Sequence, residues 1–359
     1  MPIQHQSKET KVREEVLAEP EKQLSKEEQI VARYLKEMTI EEKVGALFFA
    51  RLPVDTALAD LEEYHLGGYI LFGRDFEGRK LEDIRLLTET LQKNAKIPLL
   101  IGSDEEGGQV SRVSAILPEA FRSPMDLYHE EGGLEAVVQD TREKAKLLKS
   151  IGIHTGLAPV ADYASSPESF IYNRTIGEDI KTTATYVKRV VEAMKEEQFG
   201  STLKHFPGYG DNGDSHSELI YDARSLEELE QKDFLPFKAG IEAGADSVLV
   251  SHNILTAIDQ VPSSISPKIT QILREKLQFD GVIMTDDFDM AGLANFMSQE
   301  EAAYQAIVAG NDFIITSQYA SQIPYLLDKV HHGELSEERL DQSLVRILKW
   351  KYKLGLLPE

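Results

Sequence analysis

Cysteine is missing from all 359 residues of this chain, which excludes disulfides, thiolate metal sites and a cysteine nucleophile. The compartment stays open, because exported proteins also dispense with cysteine. Basic residues are scarce too: 39 Lys and Arg stand against 61 Asp and Glu, a formal charge of -22. Binding a phosphate backbone needs a basic surface, so nucleic acid is not an expected partner. No apolar run approaches the ~20 residues that span a bilayer, and the N-terminus lacks the apolar core of a signal peptide. A transmembrane segment is therefore not expected. Tryptophan occurs once, at Trp350, inside the apolar helical run LVRILKWKYKLGL, where core packing is the default reading.

What is present suits a globular chain with a substantial core, since 42% of the residues are hydrophobic. Residues 1–25 are almost wholly polar and read as a disordered tail or stalk. With Met1 as the native start the protein belongs in the cytoplasm; with an export signal removed it belongs at the cell surface or outside. From Ser25 the pattern turns helical, with capping boxes at SKEE and at Thr39–Glu42. Short apolar runs then recur at 44–52, 67–73, 97–104, 153–162, 201–206, 247–253, 281–287 and 312–317. Helical patterns separate them, at 79–94, 133–151, 183–198, 225–243, 267–277 and 298–309, with a last one at 336–354. This alternation predicts an α/β fold, a single (β/α)8 TIM-type barrel over 26–359, with an open doubly wound sheet as the runner-up. Polar residues capable of chemistry follow nearly every apolar run: Asp104, Asp162, His205, His252 and Asp286. Strand C-terminal ends are where barrel active sites lie, which favours the barrel.

The densest chemistry is in Lys204–His216, KHFPGYGDNGDSH. Lys204 and His205 end a predicted strand, and Gly208, Gly210 and Gly213 put the rest of the segment in a loop. Asp214 and His216 are two apart, so an extended backbone puts them on one face, where the carboxylate can hydrogen-bond the imidazole. Such a pair moves protons near neutral pH. Asp286 and Asp287 follow GVIMT with Asp289 just behind. Helix capping accounts for one aspartate of the three; Asp286, nearest the strand end, is the candidate nucleophile or charge stabiliser. In DEEGGQVSR, Asp104 and Arg112 can hydrogen-bond the hydroxyls of a polar ligand, or the segment is a glycine turn whose arginine pairs with its own acids. It lacks the lysine of a phosphate-binding loop. Arg174 in YNRTIG is a further donor or plain surface, and His252 a site group or a satisfied core histidine. A hydrolytic metal centre on His205, Asp214, His216 and Asp286 is a competing reading, but HxH and HExxH are both absent and the glycines break any helical ligand pair. Acid/base and nucleophilic catalysis at a polyol leaves fewer residues idle.

These segments, with MTIEEKVGALF, APVAD, NRTIG, SHN and VIMTDDFDM in order from about Met38 to the C-terminus, resemble the bacterial β-N-acetylglucosaminidases of glycoside hydrolase family 3, the branch associated with cell-wall turnover. The resemblance implies a retaining glycosidase without metal or organic cofactor. Asp286 would form the covalent glycosyl-enzyme and His216, polarised by Asp214, would be the acid/base in place of the usual carboxylic acid. Asp104, Arg112, Arg174, Lys204 and His205 match positions that bind sugar hydroxyls, and His252 matches a histidine near the pocket. The expected partner is a small glycan containing N-acetylglucosamine. Tyr209 departs from the pattern, since the branch commonly has a second histidine there. The glycine-rich loop is expected to move as it brings His216 to the substrate. A phosphorylase and a catalytically silent glycan-binding barrel are the alternatives.

Overall fold

The computed structural model describes residues 24–214 and 219–358. Residues 1–23 of the stretch 1–25 expected as a tail, and His216, lie outside the described residues. Helices start where their caps predict. Ser25 Oγ accepts from the Glu28 amide and the Glu28 carboxylate from the Ser25 amide, opening Lys26–Glu37. Thr39 with Glu42 and Ser225 with Glu228 form the same reciprocal pair. Ser298 accepts from the Glu301 amide at 3.3 Å, but the Glu301 carboxylate turns to the Tyr325 hydroxyl, 2.7 Å away. The helix expected over 225–243 is two, Leu226–Gln231 and Phe234–Ala243. Pro236 explains the break, because it offers no amide hydrogen to the carbonyl of Lys232.

The fold is α/β. Parallel strands form in seven of the eight apolar runs: β1 Phe48–Arg51, β2 Gly68–Leu71, β3 Leu100–Ser103, β4 Thr202–Phe206, β5 Ser247–Val250, β6 Val282–Thr285 and β7 Ile314–Thr316. They make two sheets, in the orders β7-β1-β2-β3 and β6-β5-β4. Nearly every strand residue is buried, which is why the runs read as continuously apolar rather than alternating. Phe49 of β1 and Phe313, just before the neighbouring β7, stack with their rings 4.9 Å apart.

The run at 153–162 does not become a regular strand. Thr155 makes parallel bridges to Gly102 and Gly200, and Val160 one to Lys204. Between them Leu157 has φ +45° and Pro159 lacks an amide hydrogen, so the ladder cannot continue. Another parallel bridge joins Met284 of β6 to Phe313 beside β7. Among the described residues no helix is long and apolar enough to cross a membrane.

The last long helix, Glu337–Lys353, buries Leu340, Leu344, Ile347, Trp350 and, unexpectedly, Lys351. Lys351 is 1% exposed, its ammonium has no hydrogen-bond partner among the described residues, and burial pushes its pKa down to about 7. A folded-state pKa below the unfolded value of ~10.4 means that the charged form is penalised by folding. The penalty is complete below pH 7 and fades as pH rises from 7 towards 10. Lys351→Met is therefore expected to stabilise the protein at pH 6.5, by roughly 1–4 kcal/mol, as when buried charges give way to apolar side chains. The gain should shrink at pH 9.5. Urea midpoints at the two pH values check this, and an equal loss at both would contradict it.

Candidate active site

A cavity of about 210 Å³ opens at the C-terminal ends of the strands, and Asp104, Arg112, Arg174, Lys204, His205 and Asp286 all line it. These residues come from four separate stretches of chain. Lys204 and His205 belong to β4, Asp286 directly follows β6, and Asp104 directly follows β3. Arg112 ends the short hairpin of Glu105–Gly107 with Val110–Ser111, and Arg174 ends a 3-10 turn, Tyr172–Arg174.

Lys204 organises one wall. Its side chain is 2% exposed, and its ammonium lies 2.9 Å from Asp104 Oδ1 and 2.6 Å from Glu106 Oε1. Arg174 grips Glu106 with both arms, at 2.7 and 2.9 Å. Burial alone would raise the Glu106 carboxyl, but Lys204 and Arg174 outweigh it and hold it well below the usual carboxylate range. The same balance, burial against Lys204 and Arg112, holds Asp104 low. Burial pulls the Lys204 ammonium down, and Asp104 and Glu106 together raise it, so it stays charged.

His205 is fixed in tautomer as well as place. Arg174 Nη2 lies 3.1 Å from His205 Nε2. A guanidinium only donates, so Nε2 accepts and the ring proton sits on Nδ1, donated to Asp162 Oδ2 at 2.7 Å. Asp162 also accepts from the His205 and Tyr209 amides, at 2.9 and 2.8 Å. Tyr209 is fully buried and sets its ring edge-on to His205, with centroids 5.2 Å apart.

The three aspartates after β6 separate cleanly. Asp287 accepts from the Asp289 amide at 3.0 Å, closing a local turn, and pairs with Arg51 at 2.6 Å. Burial, opposed by Arg51, pushes its carboxyl up to about 6. Asp289 shares the same arginine at 3.2 Å. Asp286 differs from both. Its Oδ1 accepts from the Asp287 amide at 2.8 Å, while Oδ2 has no hydrogen-bond partner and no cation beside it among the described residues. A buried carboxylate oxygen with its lone pairs unused is unusual and is equipped to bond to carbon.

Two sequence candidates sit elsewhere. His252 is fully buried behind the cavity wall, with Nδ1 2.7 Å from Ser264 Oγ and Nε2 3.0 Å from the Asp287 carbonyl. It holds the backbone next to Asp286 and does not line the cavity. Asp214 is half-buried and is not among the lining residues, and its intended partner His216 falls outside the described residues. Among the described residues no cluster of histidine and acid is arranged to hold a metal. Sequence reasoning missed Glu106 and Arg51, and left Asp162 without a role. All three follow or end an apolar run of the sequence, which was the available signal.

A family model described as the glycosyl hydrolase family 3 N-terminal domain matches residues 39–350. A protein named beta-hexosaminidase from Vibrio cholerae serotype O1 is 34% identical over 276 residues, 75% of this chain and 81% of its own length. Among solved structures, a family 3 beta-N-acetylglucosaminidase from a Paenibacillus species superposes with a TM-score of 0.83 at 30% identity. That match covers 90% of this chain but 64% of the other, so this chain spans just under two thirds of that protein. A beta-glucoside phosphorylase, BglX, bound to 2FGlc, superposes with the same TM-score at 26% identity, over 93% of this chain and 62% of its own.

Proposed function

As this chain belongs to glycosyl hydrolase family 3 and is a glycosidase, we propose that it is a retaining exo-β-N-acetylglucosaminidase on a (β/α)8 barrel, removing terminal β-linked N-acetylglucosamine from cell-wall-derived or related glycans. Support for the barrel comes from the isolated bridges. Through 153–162 they link β3 to β4, and through Met284 and Phe313 they link β6 to β7, so the two sheets meet at both edges.

One observation carries the chemistry: Asp286, alone of the carboxylates lining the cavity, has an oxygen without a partner among the described residues. In the proposed reaction this Oδ2 attacks the anomeric carbon as the glycosidic C–O bond breaks, and His216 gives its proton to the departing oxygen. His216, now neutral, takes a proton from water. The water oxygen attacks the same carbon, the ester bond to Asp286 breaks, and configuration is retained overall. Asp214 orients the imidazole and favours its charged form before transfer.

Asp104, Lys204, Arg174, Arg112 and His205 are the proposed hydroxyl-binding groups. Their ion pairs fix the donors before ligand arrives, which lowers the entropy lost on binding. His252 is proposed to act behind them, through the Asp287 carbonyl. A cavity of about 210 Å³, below the ~300 Å³ at which drug-sized pockets begin, suits one terminal ring, in keeping with exo action.

Phosphorolysis is the second reading, favoured by the structural likeness to a phosphorylase. A histidine acid/base also repels an anionic nucleophile less than a carboxylate would. Hydrolysis of an aryl β-N-acetylglucosaminide beside the matching β-glucoside, after chelation and with or without phosphate, separates the two. The proposal predicts a strong preference for the N-acetyl sugar and a rate unchanged by phosphate. Phosphate-dependent release with a glycosyl phosphate product would establish the phosphorylase instead.

A further inference from the structure

Arg224 does not line the cavity, yet it grips the backbone at the root of the loop that carries Asp214. Its Nη2 donates to the Gly208 carbonyl at 2.7 Å, and the guanidinium is held in turn by Asp222 at 2.6 Å and Asp233 at 2.7 Å. Asn212 completes the clamp: its side-chain amide donates to the Tyr209 carbonyl and to Asp222 Oδ2, each at 2.9 Å.

The glycines here are shaped to this clamp. Gly208 has φ +109°, and a Cβ there would lie 2.8 Å from Asp233 Oδ1. Gly210 has φ +57°, and a Cβ there would lie 2.5 Å from Arg224 Nη1. Only glycine tolerates both the left-handed backbone and so close a guanidinium. From the cavity side Asp162 holds the Tyr209 amide. On a third side Asp211 accepts from the amides of Ser165 and Ser166, at 2.9 and 3.1 Å, and from Ser169 Oγ at 2.6 Å. The stem from His205 to Asn212 is thus tied to the scaffold at Gly208, Tyr209, Asp211 and Asn212, and it ends two residues before Asp214.

We propose that Arg224 is a positioning residue: by clamping Gly208 and, through Asp222, Asn212, it sets the point from which the Asp214–His216 pair is presented to the glycosidic oxygen. This rests on the proton-donor role proposed above for His216. A displacement of about 1 Å at a group far from the chemistry can lower a rate 10²-fold. The loss should fall where proton donation matters, on aglycones that leave poorly, and far less on aglycones that leave unaided.

The test compares kcat/KM for an alkyl and a dinitrophenyl β-N-acetylglucosaminide in Arg224→Met, Arg224→Lys and His216→Ala, with melting temperatures alongside. Arg224→Met is expected to lose roughly 10²-fold on the alkyl glycoside and several-fold less on the dinitrophenyl one, with Arg224→Lys between it and the parent. Should Arg224→Met not fold, Asn212→Ala removes one strand of the clamp and is expected to show the same asymmetry at smaller size. Equal losses on both substrates, with the asymmetry present in His216→Ala, would overturn the positioning role alone. Equal losses in His216→Ala as well would overturn the proton-donor reading and this inference with it.

Discussion

Asp286→Ala is expected to lower kcat/KM on aryl β-N-acetylglucosaminides by roughly 10⁴–10⁶-fold, the scale seen when a catalytic nucleophile is removed. In the proposed reaction the size reflects what Asp286 alone would supply. Asp104 and Glu106 are tied to Lys204, and Asp287 to Arg51, so no neighbouring carboxylate is available to take over. The fold should survive, because Asp286 makes no ion pair among the described residues and its Oδ1 bond is to the adjacent amide. Binding of N-acetylglucosamine, measured by calorimetry, should therefore persist while turnover is lost. A further signature is chemical. Azide can enter the space left by the carboxylate and displace an activated aryloxide directly, in one inversion, giving the α-glycosyl azide. Loss below tenfold would contradict the assignment of Asp286.

His216→Ala is expected to divide substrates by their leaving groups. Alkyl glycosides and disaccharides should lose roughly 10²–10⁴-fold in kcat/KM, the usual range for general acid catalysis, and dinitrophenyl glycosides far less. On the activated substrate the first step stays fast, while the second slows because no base activates water. Azide needs no base, so it should restore turnover and yield the β-glycosyl azide after two inversions. The two variants thus give opposite anomers of one product. Equal losses on both substrate classes, with the first step rate-limiting, would refute the acid role.

The sequence disclosed much of this site because its polar groups sit at the ends of apolar strands. Lys204, His205 and Asp286 could be placed at strand termini from the runs STLKHF and GVIMTDD, and the cavity brings them together with Asp104, Arg112 and Arg174. Pairings across long separations were not legible. Asp162 holds His205 from 43 residues away and Glu106 holds Arg174 from 68, and no local spacing encodes either contact. DEEGG presents three adjacent acids, yet only the fold decides that Glu105 turns to Ser103, Ser111 and the Val113 amide while Glu106 faces the cations. Arg51 was hidden for another reason: it looked like the polar end of a core strand until Asp287, 236 residues later, appeared beside it. In the same way, the run at 153–162 read as a strand by composition, while Leu157 and Pro159 limit it to isolated bridges. Lys351 was invisible because a lysine in an amphipathic helix normally lies on its wet face.

Trapping the glycosyl-enzyme tests the central claim most directly. His216→Ala treated with a dinitrophenyl β-N-acetylglucosaminide should accumulate the intermediate, since its formation stays fast and its hydrolysis slows. Intact mass spectrometry is expected to show one added N-acetylhexosaminyl unit, and peptide mapping at low pH should place it on Asp286 within VIMTDDFDM. The label on any other residue, or steady turnover with net inversion and no adduct, would contradict the account.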